Sequence, residues 1–409
     1  MVKYRSLVPI AAVVWGLGIL TMTPIYANQS FSLSQRSDRE EREEAASLTL
    51  RGHEELGVGE ARAALETWQA AYDIYTRLGD RDGITGSLIN QNLAWQALGR
   101  TRRACKILLA ALDVTDRDWC EPLPEVEMVL PELAPSSVNA IGLRHLGDVL
   151  VSIGHLERSE LALTRSLEIA GALNAKPEIE AAWLSLGNTH AAQYRQQRNV
   201  FDRTRNSDDF ARAIEAVQKA LNAYEEADEN ADENLAASVG IRAKLNLLSL
   251  LLNVSSWLDS VPEPFGEHRS TWRDVRQRVS PLRISPLVEI LLEAPFSTAL
   301  TPIEAIYARL NFARSLSQWQ QNPRAIEYAS DALQQANDLG NPRAKAYALG
   351  ILGGLYEQEK NFALALELTQ SATAIAQSIR AWDIAYQWQY QLGRIYRQLG
   401  ELGDGSLNF

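Results

Sequence analysis

The 409-residue sequence predicts an all-α fold, a solenoid of stacked antiparallel helix pairs. Segments recur at an interval of forty residues. Leu143, Leu146 and Gly147 return as Trp183, Leu186 and Gly187, and Ala64 and Ala71 return as Ala104 and Ala111. Ala325 and Ala332 return as Ala365 and Ala372, and Gly353 and Tyr356 as Gly393 and Tyr396. One shared interval across these segments marks internal repetition. Within each unit the apolar residues sit three and four apart, which is the period of a helix. The second helix of a unit runs small, bulky, small, as in Ala64, Trp68 and Ala71. Small residues let two helices approach closely, and the bulky one fills the space beside the contact.

The elements follow in order. Lys3 and Arg5 precede an apolar run from Leu7 to Leu20, and Ala27 offers a small residue for cleavage. This is the layout of a signal peptide over 1–27, and it predicts export to the periplasm or the cell exterior. Left uncleaved, the same segment would serve as a membrane anchor, the one membrane contact expected. Residues 28–43 are polar and charge-dense, and predict a flexible tether. Helix pairs are then expected near 44–78, 84–113, 138–173, 178–228, 233–282, 301–338 and 343–379, with a lone helix at 382–399 closed by a turn at Gly400. They group into N-terminal repeats over 44–228, a degenerate, proline-interrupted repeat over 229–300, and C-terminal repeats over 301–409 ending in a half unit. Residues 114–136 carry four prolines and are expected to loop out. The insertion QYRQQRNVFDRTRNSDDF, residues 193–210, fits either an extended helix hairpin or a mobile loop.

The first helices, as in LGILGGLYEQ and WLSLGNTH, with the small-bulky-small second helices, resemble the tetratricopeptide repeat. The resemblance implies a right-handed superhelix whose first helices line a concave groove. That repeat is usually about 34 residues long, so each unit here carries about six more. The additional residues are expected between units, at 78–86 and 339–346. The longer spacing, with segments such as AKLNLLSLLL and AIYARLNFARSL, is similar to the repeat regions of cyanobacterial proteins that join such units to a caspase-like CHAT domain. The catalytic His–Cys dyad of that group belongs to a domain after the repeats. Neither Cys105 nor Cys120 matches it, and no protease activity carries over.

Chemistry is sparse. The formal net charge of -11 opposes a nucleic-acid partner. Cys105 and Cys120 fit either a disulfide or two unrelated thiols, and they make no CxxC or metal-ligand spacing. His53, His145, His155, His190 and His268 are scattered and expected on helix surfaces, with no HExxH among them. Nucleophile-elbow and phosphate-loop motifs are missing, so no enzyme, cofactor or metal is expected. The aromatic residues, Trp68, Trp95, Trp183, Tyr356 and Tyr396 among them, are expected inside. By register the groove candidates are His53, Arg144, Asn188, Tyr390 and Arg394, a set suited to holding a peptide. On the last helix Ala385, Trp388, Leu392 and Tyr396 form an apolar stripe. Self-capping, cover by a separate chain or self-association, and a shortened relative of the CHAT group each account for it. The function expected is an exported, non-enzymatic scaffold for a protein or peptide partner. The alternative is a regulatory or remnant arm of a CHAT-type peptidase system.

Overall fold

A computed structural model describes residues 26–114, 117–121, 132–229, 237–263 and 268–406. Among the described residues there is no strand. Helices α1 (Tyr26–Gly57) and α2 (Ala61–Leu78) form the first pair, α3 (Arg81–Ala97) and α4 (Thr101–Ala111) the second, and α5 (Ser137–Ser152) and α6 (Leu156–Ala172) the third. The fourth pair is α7 (Lys176–Thr204) with α8 (Ser207–Glu229). In the fifth unit α9 (Ala237–Ser260) faces three shorter helices, α10 (His268–Arg278), α11 (Pro281–Leu292) and α12 (Phe296–Ala299). Then come α13 (Pro302–Gln318) with α14 (Asn322–Asp338), α15 (Pro342–Gln358) with α16 (Phe362–Ser378), and α17 (Trp382–Ser406). Outside the fifth unit each helix packs mainly on its neighbours in the chain, whereas α10 packs mainly on α8 and α11 on α9. Stability of such a stack is close to a sum of unit and nearest-neighbour terms.

The close approach inferred from small residues is visible at Gly187 of α7. A Cβ there would lie 2.4 Å from the ring of Tyr224 on α8. The ring fills that space, is fully buried, and its hydroxyl donates to Asn188 Oδ1 at 2.9 Å. Gly350 does the same for Trp388 of α17, again 2.4 Å from a hypothetical Cβ. Any side chain at either glycine would displace an aromatic ring from the core, a cost of about 1–3 kcal/mol.

Several expectations change. The additional residues of each unit are not in the connections, because α3 restarts at Arg81 and α15 at Pro342. They lengthen the helices: α13, α14, α15 and α16 each run 17 residues. Asp80 and Asn341 cap the restarts by accepting from Gly83 N at 3.0 Å and Ala344 N at 2.9 Å, which makes short turns sufficient. The stretch expected as a tether, 28–43, is helical as part of α1. Its Arg and Glu residues are good helix formers, and the Arg39–Glu43 ion pair at 2.9 Å joins successive turns. The expected leader lies outside the described residues as far as residue 25. The lone helix does not stop at Gly400 but continues to Ser406.

The insertion is an extended hairpin. Trp257 of α9 lies 5.5 Å from Tyr194, 5.9 Å from Phe201 and 5.6 Å from Phe210, ring centre to ring centre. This cluster pins the lengthened tips of α7 and α8 to α9, with each aromatic pair contributing about 0.5–1.5 kcal/mol beyond area burial. In the 114–136 segment the described part does not loop out. A one-turn 3₁₀ helix, Arg117–Cys120, places Trp119 in the core, and Cys120 is joined to Cys105 of α4 by a disulfide, Cα to Cα 5.9 Å. Arg158 of α6 donates to the carbonyls of Trp119 at 3.0 Å and Glu121 at 2.9 Å. Residues 122–131 lie outside the described residues.

Candidate functional site

The first helices of the pairs all turn one face inward, and together they wall a groove that runs from α1 to α17. Its two halves share Leu245, Asn246, Asn311 and Gln387. The half reaching α1 has a cavity volume of about 1630 Å³, and the half reaching the end of α17 about 1330 Å³. Each exceeds the roughly 300–1,000 Å³ of a small-molecule site, so the space suits a segment of polymer. Across the groove the α1–α2 turn meets the far repeats. A Cβ at Gly59 would lie 2.0 Å from Asn341 Nδ2, and one at Gly57 would lie 3.5 Å from Thr301. Gly59 sits at φ +88°, a backbone setting that a side chain would strain. One turn of the superhelix therefore closes against itself at this level.

Among the described residues three of the four arginines in the first half, Arg144, Arg242 and Arg343, are paired with carboxylates. Arg144 Nη1 donates to Asp148 Oδ2 at 3.2 Å, and Arg144 Nη2 donates to His145 Nε2 at 2.9 Å. Arginine has no acceptor, so His145 is neutral there with its proton on Nδ1. Burial, followed by the neighbouring Arg144 and His53, holds His145 well below its ordinary 6.5. Burial also raises the Asp148 carboxyl, although Arg144 and a hydrogen bond from Ser185 act against it. The Arg144 and Asp148 side chains remain 21% and 29% exposed, open to the groove. Further along, Arg242 Nη1 reaches Glu304 Oε1 at 3.5 Å, and Arg343 pairs with Asp383.

The five sequence-predicted groove residues all lie on this surface but do not form one cluster. His53, Arg144 and Asn188 line the first half, and Tyr390 and Arg394 line the second. His53 stands edge-on to Trp68 at 5.2 Å. Asn188 Oδ1 accepts from Asn246 Nδ2 at 2.8 Å as well as from Tyr224. Arg394 forms a two-point bond with Glu357, 3.0 and 2.7 Å, and stacks over Tyr390 at 5.4 Å. Asn246 and Asn311 were not foreseen. Each is the tenth residue of its helix and follows a leucine, in Lys244-Leu245-Asn246 and Arg309-Leu310-Asn311, and that shared triplet was the available signal.

Two other expectations are corrected. His145 and His190 are buried rather than on helix surfaces, His145 beneath Arg144 at the groove wall and His190 beside Gln193. Tyr396, expected inside, is 52% exposed, with its hydroxyl accepting from Gln370 Nε2 at 2.9 Å. Periodicity marks the side of a helix but not whether another helix covers it. Ala385 and Trp388 of the same stripe are buried, Trp388 against Tyr347 and Gly350 of α15, while Trp382, Tyr386 and Tyr390 stand exposed one turn apart. Among the described residues no cluster of His, Cys, Asp or Glu could hold a metal, and no helix is long and apolar enough to cross a membrane.

Helix pairing and groove together define a tetratricopeptide-like repeat protein. No protein-family model matches the chain, and no curated protein does. Among solved structures, the chain is similar to the human IFIT1 dimer with m7Gppp-AAAA, at 14% identity and TM-score 0.45, over 85% of this chain and 66% of that one. It is similar to Rap protein complexed with competence and sporulation factor, at 10% identity and TM-score 0.39, over 88% and 99% of the two chains. It is also similar to the TPR2AB-domain:pHSP90 complex of yeast Sti1, at 13% identity and TM-score 0.24, over 86% and 98%. The chain spans 58 to 66% of the IFIT1 chains that it matches.

Proposed function

We propose that this chain is a non-enzymatic scaffold that holds an extended or helical peptide segment of a partner protein in its concave groove. The observation that carries this reading is the row of amides and guanidinium groups on the first helices α5, α7, α9, α13 and α17, Arg144, Asn188, Asn246, Asn311 and Arg394, lining a groove of polymer dimensions. Amide side chains supply both a donor and an acceptor, which is what a peptide backbone requires at each residue. An exported setting is supported by the basic-then-apolar stretch within 1–27 and by the Cys105–Cys120 disulfide, a bond that persists in oxidising compartments.

A photo-crosslinking amino acid tests the groove. Placed at Asn311, it is expected to yield covalent adducts with partner chains, whereas at Leu282, which is 86% exposed and outside the groove, it yields none. Equal labelling at the two positions removes the groove as the docking site. The alternative, an arm of a CHAT-type peptidase system, is supported by the similarity of the repeat segments. An unchanged peptidase rate on mixing the chain with such an enzyme removes it.

A further inference from the structure

We infer that the half of the groove between α9 and α17 takes an acidic segment, read through its Asp and Glu side chains. This deepens the peptide-groove reading and rests on it. Among the described residues four cations line that half, Arg195, Arg314, Lys360 and Arg394, against one carboxylate, Glu357. Glu357 is already committed, since both its oxygens accept from Arg394. Arg314 meets only the Tyr347 hydroxyl, at 3.3 Å, and among the described residues Arg195 and Lys360 make no ion pair. Among the described residues three uncompensated cations thus share one concave wall in a chain of formal charge -11. Low-dielectric walls focus the field of such a cluster into the cleft, where an anionic ligand gains both affinity and association rate.

The other half has no such surplus. It sets Arg62, Arg144, Arg242 and Arg343 against Glu60, Asp148, Glu304 and Asp383, which balance. The acidic part of the ligand therefore lies toward α17. The three free cations come from three different repeats, so they are spread along the path of a chain. A terminal carboxylate needs its donors at one point. Tyr386 and Tyr390, 62% and 69% exposed on the same wall, add flat apolar surface beside the charges. A peptide fits this better than a nucleic acid, whose phosphates beyond the groove would meet a surface of their own sign.

The test is an array of random dodecapeptides, acetylated and amidated so that no terminal charge remains, probed with the full chain. Retained peptides are expected to be enriched about twofold or more in Asp and Glu, with retention falling about tenfold as salt screens the attraction. The double substitution Arg195→Glu and Arg314→Glu, at two exposed positions, is expected to reverse the enrichment while the thermal melt stays unchanged. Retained peptides without acidic enrichment, or enrichment untouched by charge reversal, overturn the acidic assignment and leave the peptide groove standing. Retention of no peptide overturns both. Displacement of retained acidic peptides by an oligouridylate dodecamer overturns the choice of a peptide over a nucleic acid.

Discussion

The two halves of the groove are built from equivalent faces of equivalent helices, yet they differ in what those faces leave unfinished. In the half reaching α1, Arg144, Arg242 and Arg343 are each paired with a carboxylate of the chain, and the ring behind α1 is packed away. Trp68 is fully buried, with its Nε1 donating to the Thr49 carbonyl at 3.1 Å, and Arg144 holds both Asp148 and His145. Around α13–α17 the rings of Tyr386 and Tyr390 face solvent, and Arg314 and Lys360 carry no ion pair among the described residues. A repeat fixes the scaffold. It leaves the chemistry of each inner position free to serve either stability or binding.

Substitution breaks this comparison most sharply at the aromatic residues. Trp68→Ala is expected to cost about 3–5 kcal/mol in a denaturant titration, whereas Tyr386→Ala changes stability by less than about 0.5 kcal/mol. Equal losses at the two positions would show that α17 is as fully packed as α2. The charges come next. Asp148→Ala leaves the largely buried Arg144 guanidinium without its carboxylate and is expected to cost about 1–3 kcal/mol, while Arg314→Ala costs less than about 0.5 kcal/mol. Parity in this second pair would mean that groove water satisfies Arg144 as well as Asp148 does.

The smallest effect is a slope. Because His145 is held below its ordinary value, the unfolded chain takes up the proton first as pH falls through about 6.5. Stability should then decline with acidification by up to about 1.4 kcal/mol per pH unit for this one group. His145→Gln keeps an acceptor for Arg144, removes the titration, and is expected to flatten that part of a stability–pH curve. His53 and His155, also lowered by burial, retain their shares, and the raised Asp148 acts oppositely nearer the carboxylate range. An unaltered slope in His145→Gln would place the sensitivity elsewhere.

Most of the scaffold was legible because spacing is a local property. The pair expected at 301–338 is α13 with α14, and the one at 343–379 is α15 with α16. Lengthened helices were also signalled, by Asp80 and by Asn341-Pro342 at their starts, but the familiar repeat length diverted the additional residues into loops. The site was legible only where partners keep the period. Arg343 and Asp383 pair across an interval of 40, the repeat itself, whereas Arg242 and Glu304 pair across 62, through the irregular fifth unit. No register survives there, so the placement of Asn246 beside Asn188 had to come from three dimensions.

The seam between the Gly57–Gly59 turn and the starts of α13 and α15 bears on how a ligand gets in. With the first repeat latched onto the sixth and seventh, side-on entry at that level is shut. Under the peptide-groove proposal, a guest reaches that level by threading a loose end past the seam or after the seam parts. On that proposal an unstructured tail would enter faster than a loop tethered between two folded bodies, so topology as well as chemistry would select the guest.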